Sequence, residues 1–228
     1  MTNKMKIMKT QIGRILASLF TIIVAGHCAQ PQYIYTTLDD PLRVGLSQLL
    51  GISGTNIVGL YGDSKNSVHG LLYNGSAWTS FDAPGAASGA SAGTVPIAIN
   101  GYDIVGYFNK TNGNTYGFLY NILSSNWTIL NDPAAAGGAN GGTYPGSISG
   151  ALIAGYYVDG SGDNHGFIYN LAGGTWTNHV DDPHAASGDG LGTLLAGISG
   201  TDISGTYADS QSIPHGFFIT SPPATGLP

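Results

Sequence analysis

The chain contains no glutamate, a single cysteine and few charged residues. All 13 acidic residues are aspartate, lysine and arginine together number 7, and charged residues make up 9% of the 228 residues. Aspartate suits turns whereas glutamate suits helices, so the acidic residues are expected in the loops of a chain with little helix. The low charge excludes a typical disordered chain, although 36 residues are glycine. A single cysteine forms no disulfide within the chain, so stability must come from packing.

Residues 1–29 have the pattern of an export signal. Four basic residues precede an apolar run over 15–26: Lys4, Lys6, Lys9 and Arg14. The run has the length of a secretory core and is too short to span a bilayer comfortably. Cleavage after Val24–Gly26 and cleavage after Ala29 both fit, and the expected location is secreted, periplasmic or at the cell surface. A lipid anchor on Cys28 is disfavoured, because His27 stands where a small residue is expected.

Removal of this leader leaves a strongly acidic domain without a predicted transmembrane segment. Only Arg43, Lys65 and Lys110 remain against 13 aspartates, a net charge of about −10. Nucleic acids and anionic membranes need clustered lysine and arginine, so neither is an expected partner.

One phrase recurs four times in the sequence. A glycine precedes an apolar residue pair and a second glycine, then an aromatic residue, a polar loop usually led by aspartate, and a His-Gly-apolar step. The His-Gly step stands at His69, His165 and His215, with Tyr116 in the second copy. The period of about 48 residues is typical of β-propeller blades, and one such unit is too small to fold alone.

Each unit contains four short segments with strand character. The first ends at a Ser-Gly or Asn-Gly step, and Asn100-Gly101 predicts a type I′ hairpin turn with two positive φ angles. The second carries a mid-strand glycine, kept where a backbone or an aromatic ring comes close, and the fourth begins with tryptophan. These positions are Gly59, Gly106, Gly155 and Gly205, and Trp78, Trp127 and Trp176. We interpret the glycines as sites of packing between blades.

The last copy ends after its third segment, and the missing fourth segment stands at the start of the mature chain. Residues 33–41 end in Asp39-Asp40-Pro41, which matches the Asp-Pro corner that closes the other units. We therefore expect an all-β, four-bladed propeller of four-stranded antiparallel blades, closed when this segment pairs into the last blade and removes the free sheet edges. The expected single domain spans 30–220, with blades at about 42–84, 85–133, 134–183 and 184–220 plus 33–41, and a disordered tail at 221–228.

These features resemble the bacterial extracellular HAF repeat, whose units read roughly G-I-N-x-x-G-x-I-V-G-x-Y-x-D…H-G/A-F-L-Y. The resemblance covers residues 33–219, and the departures are Tyr116, Ser204 and Ile219. It implies propeller-like β repeats in an exported protein. It implies no reaction, because repeat and export define the family.

If the first strand of each blade runs down, the loops after the second and fourth strands share one face. That face would collect the candidate ligand-binding aspartates: Asp63, Asp159, Asp163, Asp181, Asp182 and Asp209. The repeated His69, Tyr116, His165 and His215 are interpreted as structural, with each histidine tied to a loop aspartate. No cofactor, metal site or catalytic residue is predicted, because the repeated histidines are expected too far apart to share an ion and the acidic loops make poor calcium cages.

His179 and His184 flank two aspartates and belong to no repeat position. They have no nucleophile at a recognised spacing, so no acid–base role is assigned. The sequence favours a non-enzymatic binding or surface-structural propeller, with a glycan or a cell-envelope component as the candidate partner. The alternatives are an exported carbohydrate hydrolase or lyase that uses loop-face aspartates, and a purely structural envelope module.

Overall fold

The computed structural model describes residues 34–42, 44–89, 92–138 and 141–220, which hold fifteen β-strands in four antiparallel sheets. The first sheet contains β1 (Ser47–Ser53), β2 (Asn56–Gly62), β3 (Val68–Tyr73) and β4 (Trp78–Phe81), and the second contains β5 (Thr94–Asn100), β6 (Asp103–Asn109), β7 (Thr115–Asn121) and β8 (Asn126–Leu130). The third contains β9 (Gly142–Ser149), β10 (Leu152–Val158), β11 (Asn164–Asn170) and β12 (Thr175–Asn178), and the fourth contains β13 (Thr193–Ser199), β14 (Asp202–Ala208) and β15 (Pro214–Ile219). The all-β class with four-stranded antiparallel sheets is confirmed.

The described residues fall into two compact units, with the boundary between Leu38 and Asp39. Within the first unit, residues 34–38 form no strand. The expected leader at 1–29, with Cys28, and the expected tail at 221–228 lie outside the described residues. None of the described residues forms a helix long and apolar enough to cross a membrane.

The predicted turns between the first two strands of each sheet have a different geometry from the expected one. The two loop residues after β5 are Gly101 and Tyr102, and only Gly101 has a positive φ, of 61°. The same holds for Gly54, Gly150 and Gly200. A type I′ turn needs two positive φ angles, whereas type II′ needs one, with glycine in the first place. The prediction of type I′ was therefore wrong, because the asparagine belongs to the strand and the glycine opens the turn.

The mid-strand glycines face a bulge in the neighbouring strand of the same sheet. A Cβ on Gly155 would collide with the carbonyl oxygen of Tyr144 and lie 2.8 Å from Cζ of Phe167, and Gly59, Gly106 and Gly205 face the same kind of carbonyl. The pairing of β9 with β10 shifts register at this point, as do the corresponding pairs in the other sheets. A backbone does come close, as expected, but it belongs to the same sheet and not to the next blade.

Three apolar clusters lie between successive sheets. The first joins Val58 to Ile104 and Phe118, the second joins Val105 to Tyr157, and the third joins Ala154 to Ile203. β1 contacts β5, β5 contacts β9 and β9 contacts β13. Each sheet thus packs face to face on the next, and the first strands of successive sheets contact one another. Burial of each large side chain stabilises the fold by about 1.5–3 kcal/mol.

The expected closing strand is not found. Residues 34–40 form no strand, and the fourth sheet has the order β13-β14-β15 without a fourth member among the described residues. Ile52 on the first sheet and Phe218 on the last are 68% and 62% exposed. The sheet faces at the two ends of the stack therefore lack the cover that the internal faces have.

Candidate functional site

The loops after the second strand of each sheet and the connections between sheets lie together. The described residues between the first two sheets, 82–89 and 92–93, contact both neighbouring hairpin loops. The Val68 N–H donates to the Ala92 carbonyl at 2.8 Å, and the Ala87 N–H donates to the Asn109 carbonyl at 2.7 Å. The later connections repeat this, as when the Gly190 N–H donates to the Gly162 carbonyl at 3.0 Å. We call this surface the loop face. It is the arrangement that the predicted strand directions require.

The three aspartates that open the hairpin loops use one oxygen to shape the loop. Asp63 Oδ1 accepts the backbone N–H groups of Lys65 and Ser67, both at 2.8 Å. Asp159 and Asp209 accept the equivalent pairs in the third and fourth sheets. These bonds are Asx-turns of the kind that aspartate forms at loop starts. The second oxygen, Oδ2, turns to the repeated histidine.

In the first sheet, His69 lies between two carboxylates. Its Nδ1 is 2.9 Å from Asp82 Oδ2, and its Nε2 is 3.5 Å from Asp63 Oδ2. The imidazole stacks on Tyr61 with the ring centroids 5.1 Å apart. Asp82 was not among the predicted site residues. The signal that could have found it is the repeat, because Asp82 stands two residues before Pro84 just as Asp181 stands two residues before Pro183.

The third sheet repeats this arrangement around His165. His165 Nδ1 is 2.8 Å from Asp181 Oδ2, its Nε2 is 3.5 Å from Asp159 Oδ2, and its ring stacks on Tyr157 at 5.2 Å. Asp181 Oδ1 also accepts the N–H of Gly166 at 2.9 Å. The predicted Asp159, Asp163 and Asp181 thus come together around one histidine.

A second imidazole joins the third-sheet cluster. His179 Nδ1 is 3.6 Å from Asp181 Oδ2, and its ring lies edge-on to His165 at 4.8 Å. Its Nε2 is 3.2 Å from the Tyr157 hydroxyl. No role was predicted for His179, and its contact with His165 is made only in the folded chain.

The other two sheets vary the arrangement. His215 stacks on Tyr207 at 5.0 Å and meets one carboxylate, Asp209, at 3.1 Å, while Asp182 lies apart and contacts His184 at 2.9 Å. In the second sheet Tyr116 accepts a hydrogen bond from Asn114 Nδ2 at 3.0 Å. The Lys110 ammonium lies 4.6 Å from the ring centroid of Tyr116. A lysine and an amide therefore replace the carboxylates where tyrosine replaces histidine.

These contacts fix the charge states on the loop face. The backbone N–H of Ser67 chiefly lowers the pKa of Asp63, and that of Ile213, with His215, lowers the pKa of Asp209. Burial acts to lower the pKa of His69, but the hydrogen bonds and charges of Asp82 and Asp63 outweigh it and raise the pKa. The loop-face carboxylates with shifted pKa values are therefore held ionised and the imidazole is held more basic.

The corner aspartate of the second sheet, Asp132, is buried instead of facing solvent. Asp132 is fully buried, its Oδ1 accepts the Ala134 N–H and the Asn178 side-chain amide, and burial raises its pKa. Its backbone N–H donates to Thr143 Oγ1 at 2.9 Å. The equivalent bonds join Ala83 to Thr94 and Asp182 to Thr193. These threonine hydroxyl groups connect each corner to the first strand of the next sheet.

The repeated tryptophans lie far from the loop face. They stand at or next to the start of their strands and pack on the tyrosine across the ladder, with ring centroids 4.8 Å apart for Trp78 and Tyr73, 4.4 Å for Trp127 and Tyr120, and 4.6 Å for Trp176 and Tyr169. A shallow groove of about 240 Å³ does open on the loop face, between Asp63, Ser64 and Asn66 on one side and Val44 and Leu46 on the other.

Comparison with known proteins gives no family. No model of a protein family matches the chain, and no curated protein matches it. Among solved structures, a mutant of the Aleuria aurantia lectin in complex with Fucα1-6GlcNAc is 19% identical, with a TM-score of 0.44, over 75% of this chain and 56% of that chain. A second Aleuria aurantia lectin structure, described as a six-bladed β-propeller with a novel fucose recognition mode, is 19% identical with a TM-score of 0.42 over 72% and 52%. The chain spans little more than half the length of these lectins.

Proposed function

We propose that this chain is an exported, non-enzymatic binding or surface-structural β-propeller that takes a glycan on its loop face. The observation that carries the proposal is the recurrence, in all four sheets, of a ring that contacts an inner aromatic residue and is held by polar loop groups: His69, Tyr116, His165 and His215. The contact is stacked for the three histidines and tilted for Tyr116. A catalytic group needs to occur once, whereas a repeated surface suits repeated sugar units. Carboxylates and imidazoles match sugar hydroxyls as acceptors and donors.

The charge states favour binding over hydrolysis. Glycoside hydrolysis needs one carboxylic acid that is still protonated at working pH, which requires a raised pKa. The pKa values of Asp63, Asp159 and Asp209 are lowered instead. Asp132, whose pKa is raised, is buried away from solvent.

The test is a screen of the protein on an array of immobilised glycans, paired with a panel of chromogenic glycoside substrates. We expect binding without turnover. Ser64→Arg, which fills the groove beside Asp63, should weaken binding by several-fold, whereas Leu123→Arg, on a 70% exposed residue at the turn after β7, should not. Turnover that Asp63→Asn abolishes would favour the hydrolase instead, and equal effects of the two arginine variants would remove the loop face from consideration.

We further propose that the four sheets are blades of a closed ring, with residues 33–41 as the fourth strand of the last blade. Gly216 supports this, because a Cβ there meets no atom within 4 Å, whereas a Cβ on Gly70 or Gly166 meets the fourth strand or its continuation. The space beside Gly216 is thus open to a neighbouring strand. Closure predicts that Gly216→Ala destabilises the protein about as much as Gly166→Ala, and a wild-type melting temperature for Gly216→Ala would contradict it.

A further inference from the structure

The third sheet differs from the first two sheets by one inserted residue. Asp82 stands four positions after Trp78, and Asn131 stands four positions after Trp127, but Asp181 stands five positions after Trp176. The pairing shows which residue is extra: Gly70 faces Phe81 and Gly117 faces Leu130, while the Val180 N–H donates to the Gly166 carbonyl. His179 is therefore the insertion. Its positive φ of 56° ends β12 at Asn178, whereas the sequence predicts a strand over Trp176–Val180.

The insertion places a second imidazole where the first sheet has none. His165, His179 and Asp181 offer three ligand atoms that all lie within 4.8 Å of one another. We propose that these three residues bind a divalent transition-metal ion with the ligand preferences of zinc. Two neutral imidazoles and a carboxylate form a common zinc ligand set, and the remaining position is left to solvent or to an added ligand.

The distances suit such an ion. Asp181 Oδ2 is 2.8 Å from His165 Nδ1 and 3.6 Å from His179 Nδ1. Ligands about 2.0–2.2 Å from a tetrahedral ion lie roughly 3.3–3.6 Å apart. The ion therefore requires a small widening of the shorter contact and a similar separation of the two histidine ligand atoms, which lie within 4.8 Å of each other. The His179 side chain is 65% exposed, which leaves an entry path from solvent.

The neighbouring groups orient both rings for this role. His165 Nε2 faces Asp159 Oδ2 at 3.5 Å, and the Tyr157 hydroxyl lies 3.2 Å from Nε2 and 3.5 Å from Nδ1 of His179. With the ring proton on Nε2 in each case, both Nδ1 lone pairs are available to an ion beside Asp181. Binding shifts the His165 proton from Nδ1 to Nε2, or releases it when the ring is protonated. Such outer carboxylate and hydroxyl partners accompany metal-ligating histidines.

The surroundings are negative and contain no competing cation. Residues 111–228 include neither lysine nor arginine. Behind the cluster, the buried atoms Asp132 Oδ2 and Asn178 Oδ1 have no hydrogen-bond partner among the described residues. Asp132 is coupled electrostatically to both His179 and Tyr157. A bound cation would compensate the negative charge of the surrounding aspartates.

Another group, Asp159, Asp163 and His165, also brings three ligand atoms together. Asp163 Oδ1, however, accepts the Gly188 N–H at 2.6 Å, just as Ser67 Oγ accepts that of Gly89 and Asn114 Oδ1 that of Gly138. Since serine and asparagine fill the same role in the other sheets, Asp163 is explained by the loop alone. The set with His179 has no such repeat counterpart.

The experiment is isothermal titration of ZnCl₂ into the metal-free full chain, prepared without a histidine tag, and into three variants. We expect one zinc ion per chain, an affinity at least 10-fold weaker in His179→Asn and in Asp181→Asn, and an unchanged affinity in His69→Asn. Asparagine suits position 179 because it tolerates positive φ. The first sheet, which has the Asp-His-Asp arrangement without the insertion, is thus the internal control.

Nuclear magnetic resonance of the wild-type chain gives a test that needs no variant. Zinc should shift or broaden the ring signals of two histidines, His165 and His179, and leave those of His69 and His215 in place. The proposal is overturned if zinc does not bind below about 1 mM, if His69→Asn weakens binding as much as His179→Asn, or if all repeated histidines respond equally. None of these results depends on glycan binding.

Discussion

The close contact between Gly155 in β10 and the backbone of β9 predicts that Gly155→Ala destabilises the protein. The new methyl group would collide with the Tyr144 carbonyl oxygen, and it would lie 2.8 Å from the Pro145 Cα and 2.8 Å from Phe167 Cζ. Two of these three atoms are backbone atoms of the β9 bulge and cannot turn aside as a side chain can. The strand must shift, and shifts of this kind typically cost about 1–3 kcal/mol.

A smaller gain opposes this cost. Alanine restricts the unfolded chain more than glycine and stabilises by about 0.4–1 kcal/mol where the backbone permits it. We therefore expect a net loss of about 1–2 kcal/mol, which for a domain of this size is a fall of roughly 2–8 °C in melting temperature. Urea unfolding followed by tryptophan fluorescence measures the free energy directly.

The control is Gly160→Ala. Gly160 lies in the hairpin loop of the same sheet, its φ is not positive, and a Cβ there meets no atom within 4 Å. Its substitution should leave the free energy of unfolding unchanged or raise it slightly. A Gly155→Ala protein as stable as this control would show that the bulge does not press on Gly155, and the explanation of all four mid-strand glycines would fail with it.

Two further predictions concern the corners and the loop face. Thr143→Val should destabilise by about 1–3 kcal/mol, because it leaves the N–H of the buried Asp132 without its acceptor, whereas Thr143→Ser should cost less; equal unfolding curves for the two variants would contradict this. His69 has a raised pKa in the fold, so its stabilising effect is present below the unfolded pKa of about 6.5 and is lost as pH rises through the folded value. The difference in unfolding free energy between the wild type and His69→Gln should therefore be larger at about pH 5.5 than at about pH 8.5, and a difference that grows with pH would refute the assigned contacts.

Much of the fold is predictable because the sequence repeats one structural unit four times. Each recurrence of the apolar-Gly-x-aromatic phrase marks a second strand, and each Trp-Thr step marks a fourth, so the strand positions in the first three units agree with the structure. The exceptions depend on single backbone angles. The turn type at Gly101 and the early end of β12 at Asn178 follow from φ values that composition does not specify.

The candidate site was less accessible to sequence reasoning. The pairing of a repeated histidine with a loop aspartate follows from their short separation, as in His69 and Asp63. The second carboxylate, Asp82, and the second imidazole, His179, directly follow the fourth strand of their sheets, and their distances to the histidine depend on the register between two strands.

By itself, the sequence determined the repeat, the strand order within each sheet and the concentration of aspartate in loops, because these depend on local pattern and on residue preference. Only the tertiary structure decided which groups meet. A one-residue insertion in the third sheet brings His179 against His165. The mid-strand glycines are required by a bulge in the neighbouring strand of their own sheet and not by packing against the next sheet. A one-residue shift in strand register and the sign of one φ angle set these contacts, and both depend on how the strands pair in the folded chain.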